Sequence, residues 1–296
     1  MKHCIASGIA SRIASGRALL LAAGLLLGTT ACTTITVSEN ELLMPDRAVT
    51  ARNIDTIAPG YQLGELDLTG TDGTRLYGQF LHHPQAKQTV LFFGGNNFRI
   101  RQYGRTVLEG YSKLGVNLVL VDHRGYGNSE GEPSIETLFS DGLATFDRVK
   151  QLLPNQPIIV HGFSLGSFIA GHVGKRRPVD ALILEGSATN AEDWADAITP
   201  WFAKPFITVK IEAKLQAINN KDNLTDFRAP LLILVGENDN QTPPSLAEKL
   251  YAEAAKARYR DLQIVPDLNH NLASKTASFA TAFLALQQQL STGTTP

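Results

Sequence analysis

The segment Gly162-Phe163-Ser164-Leu165-Gly166 constrains this chain more than any other. A short β-branched run, Pro157-Ile158-Ile159-Val160-His161, precedes it, and helix-compatible residues from Ser167 to His172 follow. A G-x-S-x-G between a strand and a helix predicts a very tight turn that lifts the serine hydroxyl above the sheet. Side chains two residues to either side would collide there, which is why both positions are glycine. The pattern fixes a local strand-turn-helix. It also demands a larger parallel sheet to hold it.

The rest of the chain supplies that sheet. Leu63 to Leu68 and Arg75 to Leu81 alternate apolar and polar residues around Thr71-Asp72-Gly73, predicting an antiparallel hairpin. Thr89-Val90-Leu91-Phe92-Phe93 and Val116 to Val121 are continuous apolar runs, as expected of strands buried on both faces. Ala181 to Leu184, Leu231 to Val235 and Leu262 to Val265 add further strands. Between them lie helical patterns: Arg101 to Leu114, Ile135 to Leu153 with one apolar stripe, a helix opened by Pro243-Pro244 and running to Ala257, and a C-terminal amphipathic helix marked by Phe279, Phe283, Leu286 and Leu290. Alternation of this kind predicts an α/β fold, a mostly parallel central sheet with helices on both faces. Residues 187–227 break the rhythm and carry Trp194, Trp201, Phe202 and Phe206. They read as a small helical cap insertion, or else as a crossover helix with a long loop.

The remaining organisation follows from composition. Of 296 residues, 43% are hydrophobic and 19% charged, enough for a full core in a domain spanning 61–290. Lys2, Arg12 and Arg17 precede an apolar run, Ala18 to Leu27, that is too short to cross a bilayer. Residues 1–31 therefore read as a signal peptide, with export as the consequence. Of the two cysteines, Cys4 would leave with the signal and Cys32 would begin the mature chain. The segment is similar to a bacterial lipoprotein signal, which implies lipidation of Cys32 and a membrane anchor; plain secretion is the alternative. Residues 32–60 read as a tether with a reach of roughly 30 Å, part of which packs on the domain in an alternative reading. Residues 291–296 read as a tail. A net charge of −1 offers no basic face and no electrostatic case for nucleic acid. No metal or cofactor signature is evident: His82-His83 is adjacent rather than helically spaced, and no phosphate loop with its lysine is present.

A serine hydroxyl needs a base to take its proton and an acid to orient that base. In a sheet with this elbow the acid follows a late strand and the histidine follows the last one. Asp239, in Gly236-Glu237-Asn238-Asp239, is the candidate acid, preferred to Glu237 because it leads into the loop that opens the next helix. His270 is the candidate base, the sole histidine beyond His172. Two backbone N–H groups should meet the oxyanion. Leu165, after the nucleophile, is one. Asn96, in Gly94-Gly95-Asn96-Asn97, is the candidate for the other, with Gly95 and Asn97 as neighbouring alternatives.

Taken with the elbow, Phe92-Phe93-Gly94-Gly95-Asn96, Val121-Asp122-His123-Arg124-Gly125-Tyr126-Gly127-Asn128-Ser129-Glu130-Gly131, Leu184-Glu185-Gly186 and Val235-Gly236-Glu237-Asn238-Asp239 resemble serine hydrolases of the α/β-hydrolase superfamily. The likeness is to the small-cap branch that includes depalmitoylase-like and serine aminopeptidase-like proteins. It implies cleavage of an ester or thioester in a small or lipid-like acyl substrate, with amide hydrolysis, acyl transfer and an inactive lipid-anchored scaffold as rivals. Two positions depart from the family pattern. Gly94 stands where histidine is usual, and His123 where an aromatic residue is common, a change expected to be structural. His161 is expected to be a packing residue at the strand end.

Overall fold

The computed structural model describes residues 33–45 and 58–291. The signal segment, Cys32, the tether stretch 46–57 and the tail 292–296 lie outside the described residues. The described residues divide into two compact units, a large one within 36–198 and 211–291, and a small one of 33–35 with 199–210.

The large unit is built on an eight-stranded sheet in the order β10-β9-β7-β6-β4-β5-β3-β2. The strands are β2 (Gln62–Thr69), β3 (Arg75–His82), β4 (Thr89–Phe93), β5 (Asn117–Val121), β6 (Ile158–Phe163), β7 (Ala181–Glu185), β9 (Leu231–Gly236) and β10 (Arg260–Val265). β2 and β3 form the expected hairpin, and β3 pairs antiparallel with β5. All other pairs are parallel. Every residue of β4, β5, β7 and β9 is buried, which is why their sequences lack an apolar–polar alternation.

The helices are α1 (Glu39–Leu42), α2 (Ile100–Tyr111), α3 (Ile135–Leu152), α4 (Leu165–Arg176), α5 (Ala191–Ile198), α6 (Asn220–Leu224), α7 (Pro244–Glu253) and α8 (Ala277–Ser291). α2 and α8 cover one face of the sheet. Val107, Tyr111, Phe279 and Phe283 meet Phe92, Ile159, Ile183 and Leu232 in one continuous cluster. α4 lies on the other face against β6 and β7, and α3 packs beside it. α3 begins at Ser134, whose hydroxyl accepts from the Thr137 N–H at 3.1 Å.

Three elements differ from the sequence reading. α2 stops at Tyr111, because Ser112 to Leu114 turn before Gly115, at φ 62°. α7 ends at Glu253, four residues short. The stretch between β7 and β9 is not purely helical: beside α5 and α6 it contains a 3₁₀ turn, Ala213–Ala217, and strand β8 (Ile207–Ile211), which pairs with β1 (Thr33–Val37). Of the stretch read as tether, residues 39–44 are bound to the domain. The Glu39 carboxylate accepts from Ile135 N–H at 2.7 Å and lies 3.2 Å from Lys214 Nζ.

One buried ion cluster pins the loop beside the site. Arg124 reaches Asp141 through Nε (2.8 Å) and Nη2 (2.7 Å), and Asp72 through Nη1 (2.6 Å). Only Asp72 is substantially exposed. Arg124→Leu should destabilise the fold by about 3–5 kcal/mol at neutral pH, read by urea denaturation, because the Asp141 charge is left buried without its partner.

Candidate active site

The site assembles at the C-terminal ends of the parallel strands. β6 ends at Phe163 and α4 starts at Leu165, so Ser164 alone makes the turn, at φ 53° and ψ −118°. A non-glycine residue in this region is strained, and such strain concentrates at functional positions. The glycines on either side are there for close approach. A Cβ at Gly162 would sit 2.2 Å from the Gly166 carbonyl oxygen, and one at Gly166 would sit 2.1 Å from that of Phe93. Both obstacles are backbone and cannot swing away. Gly162→Ala should therefore cost about 3 kcal/mol or prevent folding, checked by thermal melting of the purified chain.

The structure brings Ser164, His270 and Asp239 together across 106 and 31 positions of sequence separation. His270 Nε2 lies 2.9 Å from Ser164 Oγ, and His270 Nδ1 lies 2.7 Å from Asp239 Oδ2. Asp239 is a fixed acceptor. Its Oδ1 receives the N–H groups of Gln241 and Thr242 at 2.8 Å each, and its Oδ2 receives the Thr242 hydroxyl at 2.8 Å. Burial pushes the Asp239 carboxyl up, but the bonds from His270 and Thr242 outweigh it and hold the group below the ordinary carboxylate range. An ionised Asp239 accepts only, so the Nδ1 proton of His270 points at it, and in the neutral imidazole that tautomer leaves Nε2 as an acceptor facing Ser164. The two side chains of this pair are 1% and 10% exposed, whereas Ser164 is half-buried and can be reached.

The loop after β4 lies against Ser164. A Cβ on Gly95 would stand 3.2 Å from Ser164 Cβ. The Asn96 side chain is committed elsewhere. Its Oδ1 accepts from Met44 N–H (3.0 Å) and the Tyr126 hydroxyl (2.6 Å), and its Nδ2 donates to the Leu42 carbonyl. Whatever Asn96 gives an oxyanion must come from its main chain. Leu165 is the first residue of α4, where N–H groups have no carbonyl partner within the helix.

Both departures from the family pattern acquire a physical meaning. A Cβ at Gly94 would fall 2.0 Å from Phe98 Cγ, so the Phe98 ring occupies the space a side chain would need. His123 is buried and its Nε2 donates to the Gly94 carbonyl at 2.7 Å. Burial depresses its basicity and keeps the imidazole neutral. A histidine one strand away thus holds the loop. Asp122, pushed up to about 6 by burial, accepts from Ile100 N–H (2.7 Å) and Asn128 N–H (2.9 Å) and ties α2 to the same region.

Glu185, read in the sequence only as part of a resembling segment, braces the chain just after His270. Glu185 ends β7, buried, and its carboxylate accepts the Ala273 N–H in the segment just after His270. Its other oxygen lies 3.0 Å from Nε2 of the fully buried His161, whose Nδ1 meets the Tyr111 hydroxyl at 2.7 Å. His161 is enclosed in this cluster, as a packing residue would be. His82 and His83 both bond Asn117, one through Nδ1 and one through its N–H. Glu185→Leu should strip the Ala273 N–H of its acceptor, at about 1–3 kcal/mol, and lower kcat more than it raises KM. Chemical denaturation and steady-state kinetics with a soluble ester read the two effects.

Comparison with known proteins agrees with this architecture. The family described as Serine aminopeptidase, S33 (Hydrolase_4) matches residues 84–222, which include Ser164 and stop before Asp239 and His270. The Pyrococcus furiosus esterase Pf2001 superposes with a TM-score of 0.67 at 18% identity, over 83% of this chain and 98% of that one. This is the α/β-hydrolase fold. Among curated sequences, the Arabidopsis thaliana alpha/beta hydrolase domain-containing protein WAV2 is 33% identical over 202 residues, 64% of this chain and 65% of that protein. Lysophosphatidylserine lipase ABHD12 of Macaca fascicularis is 34% identical over 184 residues, 57% of this chain and 45% of the lipase. The chain thus spans from under half to about two thirds of these relatives. In an α/β-hydrolase fold the strand ends that carry Ser164, Asp239 and His270 are where ligands bind in open parallel sheets.

Proposed function

We propose that this chain is a serine hydrolase that cleaves carboxylic esters or thioesters of a lipid-like acyl group. The relay from Ser164 Oγ to His270 Nε2 to Asp239 carries the reading. The Ser164 oxygen attacks the substrate carbonyl carbon while its proton passes to His270 Nε2. The charge that forms on the carbonyl oxygen is met by the N–H groups of Leu165 and Asn96. Collapse of the tetrahedral adduct expels the alcohol or thiol, which takes the proton from Nε2. Water then adds to the acyl-serine with His270 again as base, releasing the acid. Asp239 steadies the imidazolium throughout.

The lipase and esterase names among the similar proteins support the ester reading. The family description favours amide cleavage as the second reading. A panel of p-nitrophenyl esters of rising chain length, acyl thioesters and amino-acid p-nitroanilides separates them. Ester or thioester turnover should exceed anilide turnover at every chain length. Faster anilide cleavage would replace the first reading by the second.

We further infer that the mature chain is exported and held to a membrane by lipid on Cys32, on the strength of the basic, apolar and small-residue segments before it. Cys32→Ser should move the protein from the membrane pellet to the soluble fraction. Retention in the pellet to the same extent would count against the anchor.

A further inference from the structure

We propose that Trp201, Phe202 and Phe206 form a docking tip that enters an anionic lipid surface next to the anchored N-terminus. The proposal rests on the anchor reading above and adds a contact surface to it. All three aromatics belong to the small unit, whose described residues are 33–35 and 199–210. Trp201 is 83% exposed, and Phe202 and Phe206 are about half exposed. The Trp201 and Phe202 rings meet edge to face at 6.0 Å. Single apolar residues on a surface need no explanation, but three exposed aromatics within six residues mark an interaction site.

Two observations say what covers them. The first is where the chain enters. β1 pairs with β8, and Thr33 N–H donates to the Phe206 carbonyl at 2.9 Å. Cys32 immediately precedes Thr33, and consecutive Cα atoms stand about 3.8 Å apart. The described chain therefore begins against the Phe206 main chain, one residue after the proposed site of lipid attachment. The second is charge. Thr199–Lys210 contains Lys204 and Lys210 and no acidic residue, and Thr33–Val37 carries no charge. Aromatic rings that sit at headgroup depth, flanked by lysines, suit an anionic bilayer surface. An anchor alone fixes one point; the tip fixes which face of the unit meets the lipid.

The chain has two tryptophans, Trp194 and Trp201, so Trp194→Phe leaves Trp201 as sole reporter. The full chain, processed in its host, is reconstituted into phosphatidylethanolamine–phosphatidylglycerol vesicles with brominated acyl chains. Trp201 emission should shift to the blue, fall several-fold relative to unbrominated vesicles, and resist iodide. Phe202→Ser with Phe206→Ser should weaken the contact roughly tenfold or more, seen as recovered emission. Trp201 unquenched by bromine and open to iodide would overturn the proposal. So would protection from iodide that appears together with cross-linked pairs, since a second copy would then cover the tip. If Cys32→Ser shows that no anchor exists, vesicles added to the unanchored chain still decide the tip by the same quenching.

Discussion

Ser164→Ala should lower ester turnover by roughly 10⁴- to 10⁶-fold, with the fold intact. The substitution removes one oxygen atom, and that atom is the one placed 2.9 Å from His270 Nε2. Among the described residues the neighbouring hydroxyl, Ser167, cannot replace it. Ser167 is buried and its hydroxyl is spent on the Ser164 carbonyl (2.5 Å) and on Ser187 (2.8 Å). The residual rate would come from binding and from the Leu165 and Asn96 N–H groups, which the variant keeps. Alanine inherits the same strained turn, so the melting temperature should move by only a few degrees. Kinetics with a p-nitrophenyl ester, beside a circular-dichroism melt, separates lost chemistry from lost structure.

Asp239→Asn should cost about 10⁴-fold in kcat, through the tautomer of His270. The carboxylate receives four protein hydrogen bonds, two of them from the backbone of the following turn. An asparagine placed to keep its carbonyl oxygen on Gln241 and Thr242 turns its NH₂ toward His270 Nδ1. Nδ1 must then accept, the proton moves to Nε2, and Nε2 can no longer take the serine proton. The loss should shrink as pH rises and hydroxide competes for the serine proton. A flat deficit with unchanged pH dependence would point instead to a displaced loop. Denaturation should show a loss of about 1–3 kcal/mol, since Asp239 also closes the turn into α7.

Much of this was legible in the sequence because the constraints are local. The elbow needs glycine where backbone meets backbone, so Gly162 and Gly166 stand out. Strands covered on both faces must be apolar throughout, so Thr89–Phe93 and Leu231–Gly236 stand out too. The order serine, acid, histidine then selects Asp239 and His270, and the structure joins both to Ser164. Other features depend on partners far away in the chain. Ile207 to Ile211 alternates in burial as a strand should, yet its partner β1 lies more than 160 residues earlier and the surrounding aromatics suggest helix. Glu185 looks like a strand-end carboxylate until Ala273, 88 positions on, is seen to donate to it. The Asn96 side chain is another such case: its partners Leu42 and Met44 sit in a stretch whose composition reads as linker. That the vacancy at Gly94 is filled by Phe98, while His123 reaches the loop from the next strand, follows only from three-dimensional packing.

The whole chemistry turns on Ser164 becoming a nucleophile through His270. A fluorophosphonate reacts covalently only with a serine activated in that way, and the mass of the adduct peptide names the residue. The expected product is one phosphonyl group per chain, on the peptide containing Ser164, with no adduct in Ser164→Ala and a rate reduced by orders of magnitude in His270→Ala. Modification of another residue, or equal labelling of His270→Ala and the wild type, would contradict it.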